Sequence, residues 1–323
     1  MRLDQLRTLT KLPGRPEDYT NEQILTKLRA LGFERGNLYQ ELEMSSRFVN
    51  THRDISQPSD QVQLHSHAFY EILYIRSSGG VQYLVGTERY LLQRGDVILV
   101  PPGVGHRPLL TGELREPYRR DVLWLSQEFV ELLSRMFPEF RTDKQSSALL
   151  RTAGTDWEVL LRDRFRMGVR EEEEKSVGWE AMVLGNTVQL MMLLQRAILD
   201  RGSGPQYVEK PELLEAVLAY VERHLGDKIT LRDTAQRFFV SESKISQTFR
   251  EKMGVSFYRC VTQHRLISAK NLIAEGMGLE TISTQVGFQD YSSFYRAFRQ
   301  EYGISPRQYR KLLAEEETTR SVL

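Results

Sequence analysis

Cysteine is almost missing: Cys260 stands alone in 323 residues. An internal disulfide is impossible, a thiolate metal site has no second ligand, and a reducing compartment suits the chain. Cys260 itself is expected to be a small buried side chain. Long apolar runs are missing too. The longest uncharged stretch, Ala181 to Gln195, is short and polar for a bilayer span. The opening MRLDQLRTLTK carries charge every few residues where a signal peptide needs an apolar core. Both absences point to a cytoplasmic protein with no membrane-embedded part. Nor is one sign of charge in excess, since 44 Lys and Arg face 43 Asp and Glu, unlike a histone-like basic tail. No nucleophile with a base partner, phosphate-binding glycine loop or pair of catalytic carboxylates stands out, so an enzyme is not expected.

What is present suits a soluble globular chain long enough for two domains, each able to bury its own core. Charge is uneven along it: Lys210 to Glu315 hold 16 basic and 12 acidic side chains, residues 1 to 209 hold 27 and 29. That mild basic bias permits nucleic-acid binding without establishing it.

Residues 1–45 read as an arm or helix, with Ile24, Leu25, Leu28 and Leu31 at helical spacing after Thr20-Asn21. From Arg47 to Leu125 the pattern turns to short apolar or alternating runs, among them Ile72 to Ile75, Val81 to Val85 and Val97 to Val100. Gly, Pro and Ser clusters separate them, which suggests a small antiparallel barrel or sandwich. Helical spacing returns after Trp124. Val177 to Leu199 is apolar round most of its circumference, through Met182, Val188, Met191, Leu194 and Ile198. It either packs wholly inside its domain or offers one face to a second copy. The Glu171 to Glu174 run reads as a solvated loop or helix start. Residues 201–210, with Arg201-Gly-Ser-Gly-Pro205, read as a linker between a domain at 46–200 and one at 211–315, followed by a tail at 316–323.

The last third contains a repeat. Thr230-Leu-Arg-Asp233 resembles a capping box opening a short helix through Phe238, after which Ser241 caps a helix Glu242 to Met253 that stops at Gly254. In the second copy a short helix covers Thr281 to Gln285, Val286-Gly287-Phe288 form the turn, and Asp290 caps Tyr291 to Tyr302, which stops at Gly303. Ser246 to Arg250 align with Tyr295 to Arg299, placing Phe249 and Phe298 inward and polar residues outward. Between the copies, Phe257 to Ala274 predicts a helix of about 27 Å at 1.5 Å per residue. It is a plausible spacer for adjacent major-groove segments about 34 Å apart.

This arrangement resembles the arabinose-regulator (AraC/XylS) family over roughly Leu225 to Lys311. The residues that carry the resemblance are Ala235, Ser241, Phe249, Gly254, Arg265, Ala269, Ile282, Val286-Gly287-Phe288, Phe294, Phe298, Gly303, Ser305-Pro306 and Tyr309-Arg310. It implies a DNA-binding module that sets two recognition helices in successive major grooves of double-stranded DNA. It departs from the family pattern at Phe239, in place of the turn glycine, and at Ser283, in place of alanine; a bulky residue at positive φ strains a turn. By position Ser243, Ser246 and Gln247, then Tyr291, Ser292, Tyr295 and Arg296, face base edges. Arg296 suits guanine and Gln247 adenine, while Lys244, Arg250 and Arg299 suit phosphates.

The remaining informative strings are His65-Ser-His67-Ala-Phe-Tyr-Glu71 and Gly95-Asp96 through His106. On an extended strand residues 65, 67 and 71 share one face, and a second strand could bring His106 to the same cavity. The pattern resembles the cupin superfamily, in which two histidines, a glutamate and a last histidine hold a metal; Leu110 stands where that family has asparagine. Similar strings occur in sensor domains of the arabinose-regulator family, many of which bind organic ligands without metal. Three readings stay open for His65, His67, Glu71 and His106: a divalent metal centre, a metal-free ligand pocket, or a structural histidine cluster. No cofactor is required by the first-choice reading.

The expected chain is therefore α+β and two-domain, a cupin-like β-barrel with flanking helices followed by an all-α domain of two helix-turn-helix units joined by a linker helix. The resemblance implies a transcription regulator, an activator sooner than a repressor, controlled by a small molecule such as a sugar. Its partners would be DNA, the effector, RNA polymerase and a second copy of the chain. The alternatives are a metal-sensing regulator and a cupin metalloenzyme.

Overall fold

The computed structural model describes residues 44, 46–57, 62, 64–77, 80–110, 116–138, 140, 148–200 and 213–321. Almost all of the expected arm at 1–45, and the whole of the linker at 201–210, lie outside the described residues. Two compact units emerge, one from Met44–Val62 and Ser66–Val208, the other centred on Glu209–Leu323.

The first unit is built on two antiparallel sheets. Strands β1 (Val49–Ser56), β7 (Tyr118–Leu125), β2 (Tyr70–Ile75), β5 (Val97–Val100) and β8 (Ala148–Leu150) form the larger sheet in that order; β4 (Glu88–Leu92), β3 (Val81–Val85) and β6 (His106–Leu109) form the smaller. Because side chains alternate along a strand, the larger sheet has two different faces. Tyr70, Ile72 and Tyr74 of β2 and Leu123 and Leu125 of β7 join a core with helices α1 (Gln127–Met136), α2 (Asp156–Glu174) and α3 (Trp179–Asp200). The other face carries Glu71 of β2, which opposes Trp124 of β7.

Helix α3 settles part of what its composition left open. Val183, Asn186, Thr187, Leu190, Met191, Leu194 and Ala197 form one buried stripe, while Met182, Ile198 and Leu199 are exposed. The uncharged stretch Ala181–Gln195 is thus the middle of a longer helix, which by length and composition alone could cross a membrane but here packs one face against its own domain. Close approach helps: a Cβ on Gly168 of α2 would meet Asn186 Nδ2 at 3.2 Å and Thr51 Cγ2 at 3.4 Å.

The Glu171–Glu174 run is neither loop nor helix start; it forms the last turn of α2. Four acidic residues there oppose the helix dipole, and strand β1 supplies compensation. Glu172 accepts hydrogen bonds from Asn50 Nδ2 at 3.1 Å and the Thr51 backbone N–H at 3.0 Å, and Glu173 lies 3.7 Å from Arg53.

The second unit is helical: α4 (Leu213–Arg223), α5 (Leu231–Arg237), α6 (Glu242–Met253), α7 (Phe257–Ala274), α8 (Leu279–Gln285), α9 (Tyr291–Tyr302) and α10 (Pro306–Ser321). Helices α6 and α9 have the bounds that their caps predict, and α7 the bounds expected from its spacing. Ser241 accepts from Lys244 N–H at 3.1 Å and Asp290 from Ser293 N–H at 2.6 Å, while Gly254 and Gly303 end α6 and α9 in the left-handed region at φ 63° and 75°. Helix α10 runs on through the expected boundary of the tail at 316.

Helix α7 is the spine between the two copies, and its buried residues, Cys260 among them, spread over more than one face. His264 is enclosed there, and burial pushes its imidazole down to about 4. The unfolded chain takes up a proton near 6.5 that the folded unit refuses. Stability should therefore fall by roughly 3 kcal/mol as pH drops from about 6.5 to about 4, and level off below. Chemical denaturation across that range checks it, with His264→Gln flattening the slope.

The turn of the first copy carries the strain expected of it. Phe239 adopts φ 56° and its side chain is 95% exposed, so it contributes almost no packing. Phe239→Gly should stabilise the unit by up to about 1 kcal/mol, the relief of a left-handed L-residue less the extra freedom of the unfolded glycine. A measured loss of stability would show that the ring has a contact in the folded unit. The other departure, Ser283, is buried with its hydroxyl donating to the Glu280 carbonyl at 2.8 Å.

Candidate functional sites in the two units

In the helical unit the two short-helix, turn, long-helix copies are α5–α6 and α8–α9. Phe249 of α6 and Phe294 and Phe298 of α9 are inside, with Phe249 edge-on to Phe257 at 5.4 Å and Phe298 against Tyr302 at 4.7 Å. The opposite faces point to solvent. Ser243, Gln247, Ser292 and Arg296 are exposed, and Ser246, Tyr291 and Tyr295 are half-buried. Lys244, Arg250 and Arg299 are exposed as well. Gln247 donates to Glu251 at 2.7 Å, and Arg296 sits 3.5 Å from the Ser293 hydroxyl, a contact too long to hold the guanidinium.

The connection before the first copy meets both the spine and the turn of the second copy. Arg265 of α7 donates from Nε to the Leu225 carbonyl at 3.0 Å and from an Nη to the Asp227 carbonyl at 2.7 Å, tying the α4–α5 connection to the spine. The turn glycine Gly287, φ 85°, lies against the same place: a Cβ there would stand 2.1 Å from the Leu225 carbonyl oxygen and 2.7 Å from the Arg265 guanidinium. The loop before the first copy thus rests on the turn of the second, which fixes how α6 and α9 are held.

In the barrel unit His67, Glu71 and His106 come together, with their ligand atoms all within 4.8 Å of one another. Glu71 projects from β2 and His106 opens β6. Each histidine directs Nδ1 to a backbone carbonyl, His67 to Phe69 at 2.8 Å and His106 to Val104 at 2.9 Å. Their Nε2 atoms then face Glu71 Oε2 at 3.9 and 3.2 Å. The other carboxylate oxygen accepts from Trp124 Nε1 at 2.9 Å. Burial pushes the Glu71 carboxyl up, but hydrogen bonds from His106 and His67 outweigh it and hold the group well below the usual carboxylate range. Burial lowers His67 despite Glu71.

Two imidazole nitrogens and a carboxylate, with both rings fixed through Nδ1, form a donor set suited to a divalent first-row metal. His65 is not part of it. The chain from 65 to 69 is not continuous strand, and β2 begins only at Tyr70, so the shared-face expectation for 65, 67 and 71 fails at His65.

Sequence reading missed the rest of this interior. Asp54 opposes Arg120 across β1 and β7, and Ser56 opposes Tyr118; His52 stacks edge-on against Trp124 at 4.6 Å. The alternation His52, Asp54, Ser56 was the available signal.

Comparison with known proteins agrees with this division. A family model described as a cupin domain matches residues 54–115, and one described as a helix-turn-helix domain matches residues 234–312. The probable transcriptional regulator LumQ of Photobacterium leiognathi is 33% identical over 129 residues, 39% of this chain and 49% of that protein, so the match spans about half of LumQ. The HTH-type transcriptional activator RhaS of Salmonella arizonae is 25% identical over 257 residues, 76% of this chain and 87% of that protein. Among solved structures, the C-terminal domain of AraT, a response regulator from Geobacillus stearothermophilus, is 26% identical and covers 31% of this chain and 84% of its own, with a TM-score of 0.30. The chain carries an AraC-type helix-turn-helix domain and a cupin domain, and its relatives are AraC-family regulators.

Proposed function

We propose that the chain is a sequence-specific DNA-binding transcription regulator, controlled by a small molecule bound in the N-terminal barrel. The observation that carries it is the duplicated α5–α6 and α8–α9 unit, with both long helices turning polar side chains to solvent from one shared spine. In this reading α6 and α9 enter successive major grooves. Arg296 and Gln247 read bases, with Ser243, Ser246, Tyr291, Ser292 and Tyr295 beside them, and Lys244, Arg250 and Arg299 hold phosphates. In this reading RNA polymerase is the partner and the cytoplasm the location, and the sign is activation, the one part of it that the name of RhaS states for that protein. No catalytic step is assigned. Selection of fragments from genomic DNA by full-length protein, at near-physiological salt with random competitor, tests it. Two short shared blocks about one helical turn apart support the reading; folded protein that enriches nothing sinks it.

A second copy belongs to the same proposal. Val159 and Leu160 at the start of α2 and Leu199 at the end of α3, two ends tied by the Trp157–Asp200 hydrogen bond, are exposed apolar side chains, and a two-fold pairing through them would double the DNA contacts. Since a two-fold axis presents every substitution twice, Leu199→Glu should weaken dimerisation at least tenfold, read by sedimentation equilibrium. An unchanged dimer would place the interface elsewhere.

The His67, Glu71 and His106 cluster favours a second reading, in which the barrel responds to a divalent metal. His67 and His106 would ligate through Nε2 and Glu71 through Oε2, the ion acting as a Lewis acid toward a ligand oxygen. A chelator that leaves both DNA binding and induction unchanged disposes of it. The cupin metalloenzyme reading leaves the helix repeat without a use.

A further inference from the structure

We propose that Glu301 of α9, held by Arg259 and Gln263 of α7, is a positioning residue: it fixes where α9 stands along the spine, and so sets the separation between the two DNA blocks that the protein accepts. The proposal rests on the regulator reading and names the residue that decides its spacing specificity.

Glu301 is an acid in a place suited to apolar side chains. It lies on α9 between Phe298 and Tyr302, both buried, and its own side chain is 2% exposed. One carboxylate oxygen accepts from Gln263 Nε2 at 3.2 Å, an amide that is itself buried, and the other pairs with the Arg259 guanidinium. Arg259 and Gln263 stand four residues apart and so share one face of α7. Taking a carboxylate out of water is costly, and apolar side chains of similar volume would hold the two helices together as firmly. What they would not supply is direction. Apolar contacts tolerate sliding and rotation, whereas charge-assisted hydrogen bonds to a guanidinium fork and an amide require a defined geometry.

Helix α9 is attached to the spine at two stations. At one, Phe294, Phe298 and Tyr302 pack in a single cluster with Leu266, Ala269 and Ile273. At the other, Glu301 meets Arg259 and Gln263. From Arg259 to Ile273 the stations extend about 21 Å along α7 at 1.5 Å per residue. The polar station is also where α6 is held, because Phe257, on the same turn of α7 as Arg259, meets Phe249 of α6 edge-on with ring centroids 5.4 Å apart. Glu301 therefore ties α9 to the end of the spine that carries α6. Adding one base pair between two DNA blocks moves the second by about 3.4 Å and turns it by about a tenth of a turn. Such a change is discriminated only where α9 is held more closely than that.

The test uses full-length protein and duplexes carrying the two blocks selected from genomic DNA, at the separation found and with one base pair added or removed. Wild type should bind the altered duplexes more weakly by about tenfold or more. A triple variant, Arg259→Met, Gln263→Met and Glu301→Met, fills the station with flexible apolar side chains. It should fold, as thermal melting checks, while its preference for the original separation falls to about threefold or less. Arg259→Lys keeps the charge but loses the planar fork, and it too should reduce the preference. If the triple variant fails to fold, Arg259→Lys alone decides. A folded triple variant, or Arg259→Lys, that discriminates spacing as sharply as wild type overturns the proposal, as does a wild type indifferent to spacing. Wild type that selects no fragment at all is a different result, since it removes the regulator reading and the proposal with it.

Discussion

Gly287→Ala should unfold or severely weaken the C-terminal unit, by roughly 3–5 kcal/mol, among the largest single-residue effects in the chain. Two costs coincide at this position. The backbone is left-handed at φ 85°, and the added methyl would sit 2.1 Å from the Leu225 carbonyl oxygen, where backbone cannot give way as a flexible side chain could. Relief would require lifting the Leu225–Asp227 connection off α7 and breaking both Arg265 hydrogen bonds. Gly254 provides the control. It has φ 63° but open space around a Cβ, so Gly254→Ala should cost only about 1 kcal/mol. Equal costs for the two in urea melts would mean that the close contact between the copies has no energetic weight.

Arg296→Ala should lose about 1–3 kcal/mol at the cognate site and relax preference at one base pair, because a guanidinium that pairs with guanine discriminates as well as attracts. The side chain is exposed on α9 with only a 3.5 Å approach to Ser293, so it can leave its resting place at little cost. Lys244→Ala, on the exposed first turn of α6, should instead weaken all sequences alike and reduce the salt slope by about one. Competition binding on cognate and scrambled duplexes separates the two. Equal loss on both for Arg296→Ala would remove it from base readout.

What could be read from sequence divides by range. Helices α6 and α9 have their starts and stops written locally, in Ser241, Asp290, Gly254 and Gly303. Phe249 and Phe298 followed from spacing alone. The strain at Phe239 was legible because a single turn position specifies φ. Across the barrel the sequence said less. His67, Glu71 and His106 were visible as a motif, but His65 was not separable from them, since parity holds only within continuous strand and β2 starts at Tyr70. Trp124, Arg120 and Tyr118 needed the pairing of β7 with β1 and β2, strands some fifty to seventy residues away. Nor could composition tell which stripe of α3 is buried, or that Glu172 is anchored to β1, because both depend on partners distant in sequence.

Guanine-methylation interference by full-length protein on a selected genomic fragment tests the central claim most directly, since it probes N7 in the major groove. Two helices held on one spine predict, for each bound copy, two patches of interference on one face of the duplex, about 34 Å apart, the helical repeat of DNA. A single patch, or none, would contradict a paired major-groove reader.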